Sequence, residues 1–176
     1  MSIEKFDEAK PRGARLMWFE LQPVEIDFLD VAPRRWVAKA RLQAPRDAVW
    51  GAFADPSTWR HWFPDVLEAS YPGSTPPHGV GTRRFSHVGR QYYEETMLAW
   101  DEGVRWAYRI DRTTLPISTA HVECTEFEDD GTGTRLRWTL AAKPRMMLQL
   151  TGPFMEGTLQ RLLARATRNL DRYLDM

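Results

Sequence analysis

Apolar and polar residues alternate through Trp36-Val37-Ala38-Lys39-Ala40-Arg41-Leu42, which puts Trp36, Ala38, Ala40 and Leu42 on one face of a long strand. Pro45 then stands where a helix can open, and Ala48, Val49, Ala52 and Phe53 fall on one helical face. Asp55-Pro56 predicts the cap and first turn of a second short helix, with Trp59, Trp62 and Phe63 on its apolar side and Pro64 ending it. From Val66 to Lys143 the period becomes that of strands, expected near 66–71, 81–88, 91–100, 105–112, 117–128 and 134–142. Gly89-Arg90 suits a two-residue hairpin, and Asp129-Asp130-Gly131-Thr132-Gly133 marks another tight turn. After Pro153, Met155, Leu159, Leu162, Leu163, Ala166, Leu170, Tyr173 and Leu174 recur at helical spacing, opposite Glu156, Arg161, Arg165, Arg168 and Arg172.

Residues 1–33 follow a different pattern. The first fifteen are polar and charged and read as a loose tail. Residues 16–33 read as an ordered arm, in which Val24-Glu25-Ile26-Asp27-Phe28 alternates like a strand before Pro33 interrupts it. The arm can pack on the remainder of the chain, residues 34–176, or on a second subunit, leaving monomer and homodimer both open. Short connections make the later strands antiparallel neighbours, and the long terminal helix is the element available to cover their apolar face. The pattern therefore predicts an α+β fold: a curved antiparallel sheet of about seven strands around a long C-terminal helix, with two short helices after the first strand.

Composition narrows the function. Basic and acidic residues balance at 24 each, so net charge recommends no nucleic-acid partner. A single cysteine, Cys124, excludes an internal disulfide and a cysteine-rich zinc site. No apolar run approaches the ~20 residues of a membrane helix. Glu4, Lys5, Asp7 and Glu8 put charges where a signal peptide needs its apolar centre, and a cytoplasmic location is expected. Eight tryptophans supply apolar area for either a dense core or the wall of a ligand cavity.

Several stretches carry a family resemblance. They are Ala54-Asp55-Pro56-Ser57-Thr58-Trp59-Arg60-His61-Trp62-Phe63-Pro64, Pro77-His78-Gly79-Val80-Gly81-Thr82-Arg83-Arg84, Glu95-Thr96-Met97-Leu98-Ala99-Trp100, Arg105-Trp106-Ala107-Tyr108-Arg109-Ile110 and Thr134-Arg135-Leu136-Arg137-Trp138-Thr139. With the order of elements, they resemble the START-related helix-grip superfamily (SRPBCC), and within it the polyketide cyclase/dehydrase-like proteins. The resemblance covers about residues 34–176, and Phe28-Leu29-Asp30-Val31-Ala32-Pro33 is similar to the lead-in of some members. It implies a ligand cavity between the sheet's concave face and the long helix. Members include cyclases, carriers of hydrophobic ligands and proteins without known activity, so the fold leaves the chemistry open.

A two-residue turn at Gly89-Arg90 sets Val88 opposite Gln91, Ser86 opposite Tyr93 and Arg84 opposite Glu95, on the side shared by Met97. An Arg84–Glu95 ion pair follows: a ligand-orienting pair if it faces the cavity, a surface pair worth ~0–1 kcal/mol if it faces solvent. Phe85, His87, Tyr92, Glu94 and Leu98 occupy the other face, and composition does not say which points inward. Trp106, Tyr108 and Ile110, with Leu136, Trp138 and Leu140, are expected to face the helix. His121 and Glu123 share a strand face, which suits acid/base chemistry or a half-exposed pair. Within that strand Val122 and Cys124 argue for one buried side and Phe127 for the other.

No histidine motif predicts a metal site, and Gly79-Val80-Gly81 and Gly131-Thr132-Gly133 lead into strands rather than the helix a nucleotide loop requires, so no cofactor is expected. The arginine stripe of the last helix reads as a solvated face rather than a nucleic-acid or lipid surface. The leading expectation is a binding module for a small hydrophobic molecule of aromatic or polyketide-like character. Its ligand would be held by Trp106, Tyr108, Trp138, Met155, Leu159 and Met97 and oriented by Arg84, Tyr93 and Glu95. The alternatives are a cyclase or dehydratase using Glu95, His121 or Tyr108 as acid/base, and an interaction or regulatory domain working through the arm.

Overall fold

The computed structural model describes residues 16–145 and 152–176, with side chains of the terminal helix from Met155 onward. The tail expected over residues 1–15 lies outside the described residues. Strand β1 (Phe19–Glu20) and a one-turn helix (Phe28–Val31) precede β2 (Arg34–Leu42). A helix over Arg46–Ala54, a 3-10 turn over Pro56–Thr58 and a helix over Trp59–Trp62 follow. Then come β3 (Val66–Ser70), β4 (Arg83–Val88), β5 (Gln91–Asp101), β6 (Arg105–Thr113), β7 (Ser118–Asp130), β8 (Gly133–Pro144) and the terminal helix (Gly152–Leu174).

The strands form one eight-stranded sheet in the order β2-β8-β7-β6-β5-β4-β3, with β1 paired to β6. All pairings are antiparallel. Register shifts break the ladders at Glu94/Glu95 and Met97/Ala99 in β5 and at Ser118/Ala120 in β7. Such bulges bend and twist a strand, and here they help the sheet curl around the helix. The two-residue hairpin has the expected register, with Arg84 opposite Glu95 and Ser86 opposite Tyr93. Asp55 caps the 3-10 turn by accepting from the Ser57 amide at 2.9 Å.

Tryptophans and phenylalanines fill one end of the space beneath the terminal helix. Phe53 packs edge-on against Trp59, Trp106 and Phe127 and tilted against Trp62, with ring centroids 4.9–5.9 Å apart. Val49, Trp50, Leu136, Ala166 and Leu170 complete this packed end. The helix is tied to β2 by Asp171, which accepts from the Gln43 and Ala44 amides at 3.0 and 3.2 Å. Gln160 reciprocally bonds the backbone of Lys39. Arg161, Arg165, Arg168 and Arg172 lie on the exposed side of the helix.

The arm departs from expectation. Val24–Phe28 is not a strand: its alternation is overridden by a turn and the helix over Phe28–Val31, so that Ile26 and Leu29 pack on Ala99, Ala107 and Cys124 of the sheet's outer face. Small residues there leave room for a helical turn, whereas a strand would need a free sheet edge to satisfy its backbone. Upstream, β1 occupies the end of β6, and the Leu21 and Gln22 amides donate to Asp111 and Thr119 carbonyls at 2.8 and 2.7 Å. The arm therefore threads between β6 and β7 of its own chain where those strands part. Strand β7 is buried on both faces, Val122 and Cys124 outward and Phe127 in the packed end, which reconciles the two opposed signals in its sequence.

Candidate functional site

Beyond the packed end, the sheet and the terminal helix enclose a cavity of about 350 Å³. That lies near the lower end of the ~300–1,000 Å³ usual for small-molecule sites. Its apolar wall combines sheet residues such as Val88, Ile110 and Leu140 with Trp59 and Phe63 of the short helix and Leu159 and Leu162 of the terminal helix. Thr113, Ser118 and Thr158 add hydroxyls to this wall, and two groups built on charged side chains interrupt it.

The first group comes from the β4–β5 hairpin. The Arg84 guanidinium donates through Nε to Glu95 Oε2, and Ser86 Oγ donates to Glu95 Oε1 at 3.1 Å. Arg84 and Glu95 are each only 3% exposed, so the surface reading of this pair gives way to a buried one that lines the cavity. Three rings, Trp59, Trp106 and Tyr108, face the guanidinium at 4.7, 4.6 and 4.5 Å from their centroids. They stabilise the cation through their negative π faces. Glu95 is the sole hydrogen-bond partner of the guanidinium among the described residues, and Nη1 is buried without one. Burial pushes the Glu95 carboxyl upward, Arg84 counters this, and nearby Glu123 adds to the rise.

The second group converges on Glu123 from three strands. Tyr108 Oη and Trp138 Nε1 donate to its Oε2 at 2.7 and 2.9 Å, and His121 Nε2 lies 3.0 Å from its Oε1. Burial alone would raise Glu123, yet the hydrogen bond and charge of His121, with the Tyr108 and Trp138 bonds, bring it below the ordinary carboxylate value. An ionised carboxylate only accepts, which assigns the hydrogen on His121 to Nε2. Burial and the charges of Glu123 and Glu95 hold the Tyr108 phenol well above its usual value. Burial, then the same two carboxylates, push Tyr93 up to about 12.

Of the residues singled out in the sequence, Arg84, Tyr93, Glu95, Tyr108, His121, Trp138, Met155 and Leu159 line this one cavity. Two do not. Met97 is fully buried in the packed end, because the rings of the short helices fill the space beneath that part of β5. Trp106 is likewise buried there, where it faces Arg84 and borders a void of only about 20 Å³. Glu123, which the sequence offered only as the strand-face partner of His121, is the hub of the second polar group and also gathers Tyr108 and Trp138. Its signal was the register that sets Glu123 beside Tyr108 on β6, a non-local pairing. Among the described residues, no group of three or more His, Cys, Asp or Glu side chains is placed to hold a metal ion. No helix there is long and apolar enough to cross a membrane.

Fold and cavity together define a helix-grip protein with an apolar cavity between its sheet and its terminal helix. Residues 34–175 match the family model described as polyketide cyclase / dehydrase and lipid transport, and the chain belongs to that family. Uncharacterised proteins of Mycobacterium tuberculosis and Mycobacterium bovis are each 26% identical over 162 residues, covering 89% of this chain and 94% of theirs. A START superfamily protein from Mycobacterium smegmatis superposes with a TM-score of 0.65 at 11% identity, over 80% of this chain and 97% of that one. DynU16, a protein of the dynemicin biosynthetic locus, gives 0.59 at 17% identity over 81% of this chain and 47% of its own.

Proposed function

We propose that the protein binds or carries one small, largely apolar molecule with an aromatic or polyketide-like skeleton and at least one oxygen function. The observation that carries this reading is the cavity itself: an apolar wall that includes Trp59, Phe63 and Trp138, with its acidic and basic side chains confined to two buried groups. Apolar wall area supplies affinity, while a few fixed polar atoms set orientation. The family's description, polyketide cyclase / dehydrase and lipid transport, and the place of DynU16 in the dynemicin biosynthetic locus are in keeping with a polyketide-like ligand. Titration with the neutral fluorophore N-phenyl-1-naphthylamine tests the reading. One probe per chain is expected, with binding abolished by Ile110→Trp, which fills the cavity from β6. Absence of binding by the folded wild type, or binding that Ile110→Trp leaves intact, would count against it.

One observation favours a second reading, acid/base catalysis of the cyclase or dehydratase type. The cavity holds two carboxyls whose surroundings push them apart, Glu95 upward and Glu123 downward. Such divergence is how a site supplies acid and base together. Glu95 would be the proton donor, and the His121–Glu123 pair the acceptor. Tyr108, held protonated and bonded to Glu123, could stabilise but not abstract. This reading requires the protein to accelerate exchange of the α-hydrogens of a bound methyl ketone with D₂O. Exchange that His121→Gln leaves unchanged would remove it.

A further inference from the structure

We propose that Glu95 sets the ligand specificity of the cavity by neutralising Arg84 from within, reserving the guanidinium for neutral oxygen acceptors such as a ketone, enol or phenol and turning carboxylates away. The inference rests on the ligand-binding reading above. An arginine lining an apolar cavity would ordinarily select an acid, since guanidinium and carboxylate match in charge and in paired geometry. Here that partner is already built in. Glu95 takes the Nε hydrogen, Ser86 holds the other carboxylate oxygen, and both ends of the pair are buried. The guanidinium retains unspent donors, with Nη1 buried and unbonded, but its charge is matched.

The remaining groups reinforce the bias. Glu123 lines the same cavity, and His121, the hydrogen-bonded neighbour able to carry a positive charge, can at most cancel it. With Arg84 and Glu95 paired and Glu123 ionised, no protonation state of His121 leaves the polar wall with net positive charge. A ligand carboxylate would therefore shed its water to meet two carboxylates and one shared cation, a costly burial without a free counter-charge. A carbonyl oxygen meets no such penalty and gains a charge-assisted hydrogen bond. A phenol or enol can also donate to the carboxylate oxygens of Glu95 or Glu123.

The test compares 2-acetylnaphthalene with 2-naphthoate, which share a ring system and differ in the charge of the oxygen function, by calorimetry at pH 7.5. Wild type is expected to bind the ketone at least tenfold more tightly. Glu95→Gln removes the internal counter-charge but not the shape, and should narrow that ratio at least tenfold by strengthening naphthoate. Arg84→Met, which Glu95 can tolerate by taking a proton, should weaken the ketone about tenfold and leave naphthoate no weaker than before. Tighter naphthoate binding by wild type, an unchanged ratio in Glu95→Gln, or loss of naphthoate binding in Arg84→Met would each overturn the proposal. Should Glu95→Gln fail to fold, the Arg84→Met comparison decides. If wild type binds neither molecule, the ligand-binding reading falls and this inference with it, an outcome distinct from binding with the wrong preference.

Discussion

Glu123 shows how a single residue joins stability to function. Removing its carboxylate leaves the Tyr108 and Trp138 donors facing an apolar cavity, and an unsatisfied buried polar group costs about 1–3 kcal/mol. Glu123→Ala should lose stability on that scale in urea unfolding. The pH dependence has a definite sign. A carboxyl held below its ordinary value stabilises the fold above that value and loses the contribution as pH falls through the lowered one. The wild-type stability curve should therefore fall on its acid side below the ordinary carboxylate pKa of about 4.3, and Glu123→Gln should flatten that limb. Tyr93 behaves in the opposite sense: its phenol, raised to about 12, contributes stability that is full below the ordinary value and is lost as pH rises through 12. Phenolate absorbance should show Tyr93→Phe removing a titration step near 12, and a step removed near 10 would contradict the burial. Arg84 and Glu95 were legible in the sequence because a two-residue turn fixes register over the neighbouring residues. Their inward face was not, since both faces of that hairpin carry aromatic and charged residues and Glu94 is as buried as Glu95.

Elements divide into those that local chemistry dictates and those that packing overrides. The strands after Val66 and the terminal helix follow the period of their apolar residues. The arm does not, because Ile26 and Leu29 find their partners, Ala99, Ala107 and Cys124, on the outer face of strands far along the chain. The bulges in β5 and β7 were invisible for a similar reason: they answer to curvature, which only the assembled sheet demands. Gly133 marks another long-range constraint. A Cβ built there would lie 2.2 Å from the Leu42 carbonyl oxygen, so the β7–β8 turn can pass the end of β2 only without a side chain. Gly133→Ala should destabilise by about 1–3 kcal/mol, the usual cost of overpacking, and by more if β2 cannot shift. Along the terminal helix the two ends should respond differently to truncation. Leu170, fully buried in the packed end, should cost about 2–5 kcal/mol as alanine. Leu159 borders space already empty, so its alanine variant should fall at the low end of that range. Equal losses at both positions in thermal unfolding would mean that the cavity is closed in solution.

At the scale of the whole molecule, two short helices and a ring-packed core occupy one end of the sheet's concavity, and a hollow of about 350 Å³ occupies the other. The tryptophans serve both ends: Trp50, Trp62 and Trp106 fill the core, while Trp59 and Trp138 form cavity wall. Neither of the two uses that composition allowed was the whole answer, because a residue count carries no position. An apolar void of this size forfeits packing contacts on its lining, and filling it recovers them. A ligand that binds only the folded state also stabilises by mass action, so occupancy and melting temperature should rise together. Whether this hollow holds a small apolar molecule is decided by a native mass spectrum of gently purified protein. A stoichiometric small-molecule adduct that disappears under denaturing conditions is expected, or a bare chain that takes up one neutral aromatic ketone and melts higher for it. A bare chain that no neutral apolar molecule enters or stabilises would contradict a ligand-holding cavity.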